Sequence, residues 1–137
     1  PLPPGKVRGD EELCRVLIVD DDEDFAELLK DFFLPRKEFT VELANSGFEA
    51  GFKVRNFSPH VILMDICMPG MDGFEVERML REDASTKHIP IVACTAFRDA
   101  QMDRRLANTT FADILEKPVD FDELLEAVRS QGGHRRS

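Results

Sequence analysis

The chain is poor in the features that mark several large protein classes. It has no run of twenty apolar residues, which excludes a membrane-spanning helix. No basic n-region with an apolar core opens it, so nothing reads as a secretory signal. Its formal net charge is −9, which argues against a surface that grips nucleic acid; such a surface needs a basic face. An acidic balance suits a cation or a basic partner surface instead. There are only three cysteines, Cys14, Cys67 and Cys94, with no Cys-x-x-Cys or Cys/His spacing. All three lie in apolar, strand-like runs and read as reduced core thiols of a cytosolic protein. Tryptophan and tyrosine are absent.

What remains is 137 residues, 42% of them hydrophobic, enough for one domain with one substantial core. The central stretch runs from Val61 to Gly70. Val61, Ile62, Leu63 and Met64 lead into a lone acid, Asp65; Ile66, Cys67, Met68 and a Pro69-Gly70 turn follow. A short apolar run bounded by turn signals reads as a strand buried on both faces. A carboxylate where that strand leaves the core is costly unless it is paired, coordinated or reactive. A cap or turn aspartate is the plainer alternative, and the rest of the chain decides against it.

Strands and helices alternate on either side. An apolar run predicts β1 over 15–19. Phe25, Leu28, Leu29, Phe32 and Phe33 form one helical stripe, α1, stopped near Pro35. Residues 39–43 alternate as β2. Ser46 and Glu49 have the form of a capping box opening α2, which runs to about Phe57. After Ser58-Pro59 comes β3, the central stretch. Asp72 and Glu75 cap α3 in the same way, with Val76, Met79 and Leu80 on its inner stripe. Residues 89–93 read as β4, 98–107 as a mostly polar α4 and 111–115 as β5, stopped by Pro118. Asp120 and Glu123 cap α5, whose stripe is Phe121, Leu124, Leu125 and Val128. Residues 1–10 are expected to be a flexible arm, 11–131 the folded domain and 132–137 a tail or linker. Strict alternation implies right-handed crossovers and an α/β fold: a parallel five-stranded sheet with helices on both faces.

In such sheets ligands bind beyond the carboxyl ends of the strands. Here β1 ends in Asp20-Asp21-Asp22, β3 in Asp65, β4 in Thr95 and β5 in Glu116-Lys117-Pro118. Clustered carboxylates repel one another and invite a hard divalent cation; Mg2+ prefers few carboxylates, retained waters and phosphate oxygens. A carboxylate beside such a cation can attack phosphorus to give an aspartyl phosphate. An ammonium and a hydroxyl nearby would neutralise the equatorial oxygens.

With these residues together, the chain resembles a receiver domain of two-component response regulators. The matching residues are Val19-Asp20-Asp21, the string from Met64 to Gly73, Cys94-Thr95-Ala96 and Lys117-Pro118, and the resemblance covers about 14–130. It implies a flavodoxin-like sheet of order 2-1-3-4-5. It implies that Asp65 accepts a phosphoryl group from a histidine kinase or phosphotransfer protein. Asp21, Asp65 and the Cys67 backbone carbonyl would ligate Mg2+, with Asp20 acting mostly through water. Thr95 would bond a phosphoryl oxygen, Lys117 would pair with it, and the Lys117-Pro118 bond would be cis. Asp22 reads as a helix cap. The switched surface would be α4–β5–α5, addressed to an output domain or effector, in a cytoplasmic signalling protein that is not a turnover enzyme.

The chain departs from the family pattern in several places. Ile114 stands where an aromatic residue usually reports the switch. Thr110 fills a place where glycine is frequent, which predicts strain there or a turn at Asn108. Cys67 and Phe97 flank the acceptor, and bulky Phe97 predicts slow hydrolysis. Asp122 replaces a basic residue used in the dimers of many DNA-binding relatives. His60 and His88 read as loop residues; Met64, Met68 and Met71 read as packing. Two alternatives stand beside this reading. A degenerate receiver would bind partners without phosphorylation. A phosphatase of the haloacid dehalogenase type would use Asp20 and Asp22, but Asp24 breaks its pattern and the chain lacks room for a cap domain. A flavin or nucleotide site would need a Gly-rich or hydroxyl-rich loop after β1, where acids stand instead.

Overall fold

The computed structural model describes residues 13–132. The arm at 1–10 and all of the tail beyond Gly132 lie outside these described residues. Ten elements follow in strict alternation: β1 (Cys14–Val19), α1 (Glu23–Phe33), β2 (Phe39–Ala44), α2 (Gly47–Phe57), β3 (Val61–Asp65), α3 (Gly73–Arg81), β4 (Ile91–Thr95), α4 (Ala100–Leu106), β5 (Asp113–Glu116) and α5 (Phe121–Gly132). The strands form one parallel sheet in the order β2-β1-β3-β4-β5, as expected.

Side-chain alternation along the central strands divides the core into two layers. Val16 and Ile18 of β1 and Val61 and Leu63 of β3 point to one face, where α1 supplies Ala26, Leu29 and Phe33 and α5 supplies Leu124, Ala127 and Val128. Leu17, Val19, Ile62 and Met64 point to the other, against Ala50 and Val54 of α2 and Val76 and Leu80 of α3. The period of two along a strand makes this division, and each helix stripe completes it. Phe33 is fully buried, edge-on to Phe32 at 5.3 Å and to Phe39 at 5.1 Å. Truncation of such a ring costs about 3–5 kcal/mol.

Several local expectations are corrected. Leu28 is half exposed, because the buried stripe of α1 runs through Ala26, Leu29 and Phe33 and leaves Leu28 at its edge. At α2 the box is only half formed: Ser46 accepts from the Glu49 N–H, but the Glu49 carboxylate reaches one residue further back, to the Asn45 N–H at 2.7 Å. At α3 the full capping box is present. β4 starts at Ile91, two residues late. Pro90 has no N–H for the ladder, and the Ile89 carbonyl is taken by Arg81. β5 likewise starts at Asp113, since Thr110 is tied to α3. Asp99 caps α4, so Arg98 stands outside that helix and pairs with Asp103. α5 runs through Gly132, one residue into the segment assigned to the tail.

Candidate functional site

Parallel strands deliver their carboxyl ends to one rim, and three acids meet there. Asp20 follows β1 and is almost fully buried; Asp65 ends β3 and is also buried; Asp21 is exposed. One oxygen from each lies within 4.8 Å of the others, a donor set suited to a hard divalent cation. Lys117, just beyond β5, places its Nζ 3.1 Å from Asp20 Oδ2 and 3.7 Å from Asp65 Oδ1. Its ammonium also lies 4.6 Å above the Phe25 ring. The Lys117-Pro118 bond is cis, as the resemblance implied.

Local backbone geometry holds these groups. Asp20 Oδ1 accepts from the Asp22 N–H at 2.9 Å, and Asp22 in turn caps α1 through the Phe25 N–H. Asp65 Oδ1 accepts from the Cys67 N–H at 3.3 Å. The turn after Asp65 is pressed onto the start of α3. The Gly73 N–H donates to the Ile66 carbonyl at 2.8 Å, and a Cβ at Gly73 would stand 2.8 Å from the Ile66 Cα. No side chain fits there. Gly70 opens the turn with φ +80°.

Charge crowding sets the proton affinities. Burial, then the charge of Asp20, raises the Asp65 pKa to about 6, against the opposing pull of Lys117 and the Cys67 N–H. Burial alone would press the Lys117 ammonium towards neutrality; the hydrogen bond and charge of Asp20 outweigh it and raise its pKa.

Thr95 ends β4 and is fully buried beside this cluster. Its hydroxyl is turned to its own loop: it donates to the Phe97 carbonyl at 2.9 Å and accepts from the Phe97 N–H at 3.2 Å. Phe97 is 61% exposed. Ile114 is half-buried against Ala93 and Leu106. Cys67 is exposed, contrary to the reading of all three cysteines as core thiols: β3 ends at Asp65 and Cys67 sits on the outward turn. Cys14 and Cys94 are buried as expected.

Thr110 is not strained. Among the described residues only Ser58 and Gly70 have positive φ, so Asn108 does not take a left-handed turn either. Instead the Thr110 N–H and hydroxyl both donate to Glu77 Oε2, at 3.2 and 2.5 Å, and Arg81 Nε donates to the hydroxyl at 2.6 Å. Sequence reasoning missed two parts of this neighbourhood. Phe25, under Lys117, is separated from it by most of the chain and gives no local signal. An apolar groove of about 530 Å³ runs beside Lys117, lined by Phe25, Leu28, Pro118, Val119 and Phe121 among others.

The family model of the response regulator receiver domain matches residues 16–129. The chain belongs to that family. This receiver domain is 40% identical over 118 residues to Response regulator PleD of Caulobacter vibrioides, covering 85% of this chain and 26% of PleD. It is 32% identical over 118 residues to the polar-differentiation response regulator DivK of Brucella ovis, covering 86% of this chain and 95% of DivK. It thus spans about a quarter of the length of PleD. Among solved structures it is similar to the receiver domain of Francisella response regulator 1452, with TM-score 0.77 and 27% identity over 88% of this chain and 98% of that one. It is also similar to a response regulator receiver domain from Bermanella marisrubri, with TM-score 0.75 and 32% identity over 88% and 98%. Family membership removes the haloacid dehalogenase alternative. Among the described residues no helix is long and apolar enough to cross a membrane.

Proposed function

We propose that this receiver domain is a phosphorylation-activated switch with Asp65 as the acceptor. The observation that carries the reading is the meeting of three acids at a single rim, two of them, Asp20 and Asp65, paired with one lysine. Asp21, Asp65 and the Cys67 carbonyl, with Asp20 through water, would hold Mg2+. The ion supplies charge neutralisation for the phosphoryl oxygens.

The chain's own groups do the rest. The Lys117 and Cys67 N–H contacts of Asp65 both fall on Oδ1, leaving Oδ2 as the uncommitted oxygen. That oxygen attacks the phosphorus of a phosphohistidine; an O–P bond forms, the N–P bond breaks, and the imidazole leaves with the bonding pair and takes up a proton. The donor, a sensor histidine kinase or histidine phosphotransfer protein, is seated over the apolar groove at Phe25, Leu28 and Pro118. Lys117 moves from Asp20 towards the new phosphoryl oxygens. Thr95 releases Phe97 and turns its hydroxyl inward, which moves the loop into α4. The α4–β5–α5 surface then changes its affinity for an output domain or effector. Ile114 packs against Leu106 of α4, so an aliphatic contact takes the place of the usual aromatic reporter.

In this reading the domain accepts and loses a phosphoryl group and is not a turnover enzyme. Borohydride reduction of the phosphorylated chain tests the acceptor, since it converts an aspartyl phosphate into homoserine. Peptide mapping should place homoserine at position 65; homoserine at position 20 or 21 would overturn the assignment.

A further inference from the structure

The Lys117 ammonium has three close neighbours at the rim. Asp20 Oδ2 accepts a hydrogen bond from it at 3.1 Å, Asp65 Oδ1 stands 3.7 Å away as an ion contact, and the centre of the Phe25 ring lies 4.6 Å from it. The last distance is well inside the range of about 6 Å in which the face of an aromatic ring attracts a cation. Only 20% of the lysine side chain is exposed, and shielding from solvent strengthens such a contact. The ring is also registered against the acids by a closed circuit. The Phe25 N–H donates to Asp22 Oδ1 at 3.1 Å, the Asp22 N–H donates to Asp20 Oδ1 at 2.9 Å, and the second oxygen of Asp20 holds the lysine. Phe25 lies in the first turn of α1, and its half-buried ring packs on the core layer that α1 shares with α5.

We propose that Phe25 is a positioning residue for phosphoryl transfer: its ring holds the Lys117 ammonium over the rim while the lysine exchanges Asp20 for the phosphoryl oxygens. The role rests on the reading of Asp65 as the acceptor. A lysine carries its charge on a flexible four-carbon stem and needs fixed points to aim it. In the resting state Asp20 and the ring share the ammonium. During transfer the bond to Asp20 is given up. The ring is the anchor that stays, because α1 fixes it and it brings no charge to compete with the phosphoryl oxygens. It therefore contributes more to the transition state than to the resting state, which is the condition for a faster step.

Phe25 touches no reacting atom and acts through the lysine alone. An aliphatic side chain of similar size fills the same space but offers the ammonium no negative face. The ring also forms part of the wall of the apolar groove beside Lys117. A substitution there changes the seat of a donor protein as well as the hold on the lysine. Acetyl phosphate is too small to need that seat, so it isolates the effect on the lysine.

The test replaces Phe25 alone with mono-, di- and trifluorinated phenylalanine in the full chain. Fluorine leaves the shape of the ring nearly unchanged, so the fold is kept, and drains its negative face step by step. With acetyl phosphate and saturating Mg2+, the rate of phosphoryl adduct formation should fall in that order, to about three- to tenfold below wild type for the trifluorinated ring. Phe25→Leu should be at least as slow. Without any phosphodonor, carbon-13 relaxation of the Lys117 Cε methylene should give an order parameter that falls along the same series. Equal rates across the fluorinated series would overturn the proposal, even with a slow Phe25→Leu, since the ring would then be a wall of the groove and nothing more. An order parameter that stays constant along the series would overturn it equally. A wild type that takes no phosphoryl group from acetyl phosphate would remove the acceptor reading and this role together, whereas a wild type that is phosphorylated no faster than the fluorinated chains removes this role alone.

Discussion

The Lys117 ammonium is closer to Asp20 than to Asp65, at 3.1 Å against 3.7 Å. In this state the lysine neutralises the acid cluster, occupying electrostatically the role a divalent cation would take. Lysine and cation therefore compete. Lys117→Gln should tighten Mg2+ binding by roughly three- to tenfold, or about 1 kcal/mol, while impairing the response to phosphorylation. Because the chain has no tryptophan, isothermal titration calorimetry is the direct readout. Weaker Mg2+ binding in the variant would contradict the competition.

The raised Asp65 pKa carries a stability consequence of definite sign. In the folded state the group holds its proton up to about pH 6, against an ordinary carboxylate value of 3.8. Below about pH 4 it is protonated in both states and contributes nothing. As pH rises through the window from about 4 to 6, ionisation is harder in the folded state and metal-free stability falls. After allowance for solvent screening the loss is about 1–2 kcal/mol. Asp65→Asn should remove that pH dependence and stabilise the metal-free domain at pH 7, measured by urea denaturation. Mg2+ should stabilise the wild type and have much less effect on the variant.

Glu77, Thr110 and Arg81 brace the start of β5 against α3. The Glu77 carboxylate is buried and receives both donors of Thr110, while Arg81 also donates to the Lys87 and Ile89 carbonyls. Thr110→Val keeps the shape and removes the hydroxyl from both contacts. It should cost about 1–3 kcal/mol in chemical denaturation, because Glu77 keeps its burial and loses its shortest bond. A cost near zero would show that the brace does not stabilise the fold.

Gly73→Ala tests the turn behind the acceptor. The added Cβ would meet backbone, 2.8 Å from the Ile66 Cα and 3.1 Å from the Asp65 carbonyl, so no flexible side chain can yield. Expected are a loss of about 2–4 kcal/mol in stability and a slower phosphorylation rate, since the strain falls on Asp65 itself.

Much of the fold and the rim was legible because the signals are local. The buried run from Val61 to Met64 ends on Asp65 within one strand, and the Asp72–Glu75 box lies within one turn. The sheet order came from family resemblance and is observed. Failures fell where distant parts of the chain decide the outcome. The late start of β4 depends on Arg81, eight residues upstream of the Ile89 carbonyl it takes. The expected strain at Thr110 is absent because Glu77, 33 residues away, supplies an acceptor. Cys67 looked like a core residue because its neighbours are apolar, yet the strand had already ended. Phe25 beneath Lys117 is a contact that no window of sequence contains.

The proposed switch depends on Asp65 accepting a phosphoryl group in the presence of Mg2+. Intact-mass spectrometry after treatment with acetyl phosphate tests it most directly, with and without Mg2+, beside Asp65→Asn. The expected result is a single phosphoryl adduct that requires Mg2+ and is absent from the variant. An adduct that survives in Asp65→Asn would contradict the acceptor assignment. No adduct in a wild type shown by calorimetry to bind Mg2+ would contradict the switch itself and leave a domain that signals by constitutive contact.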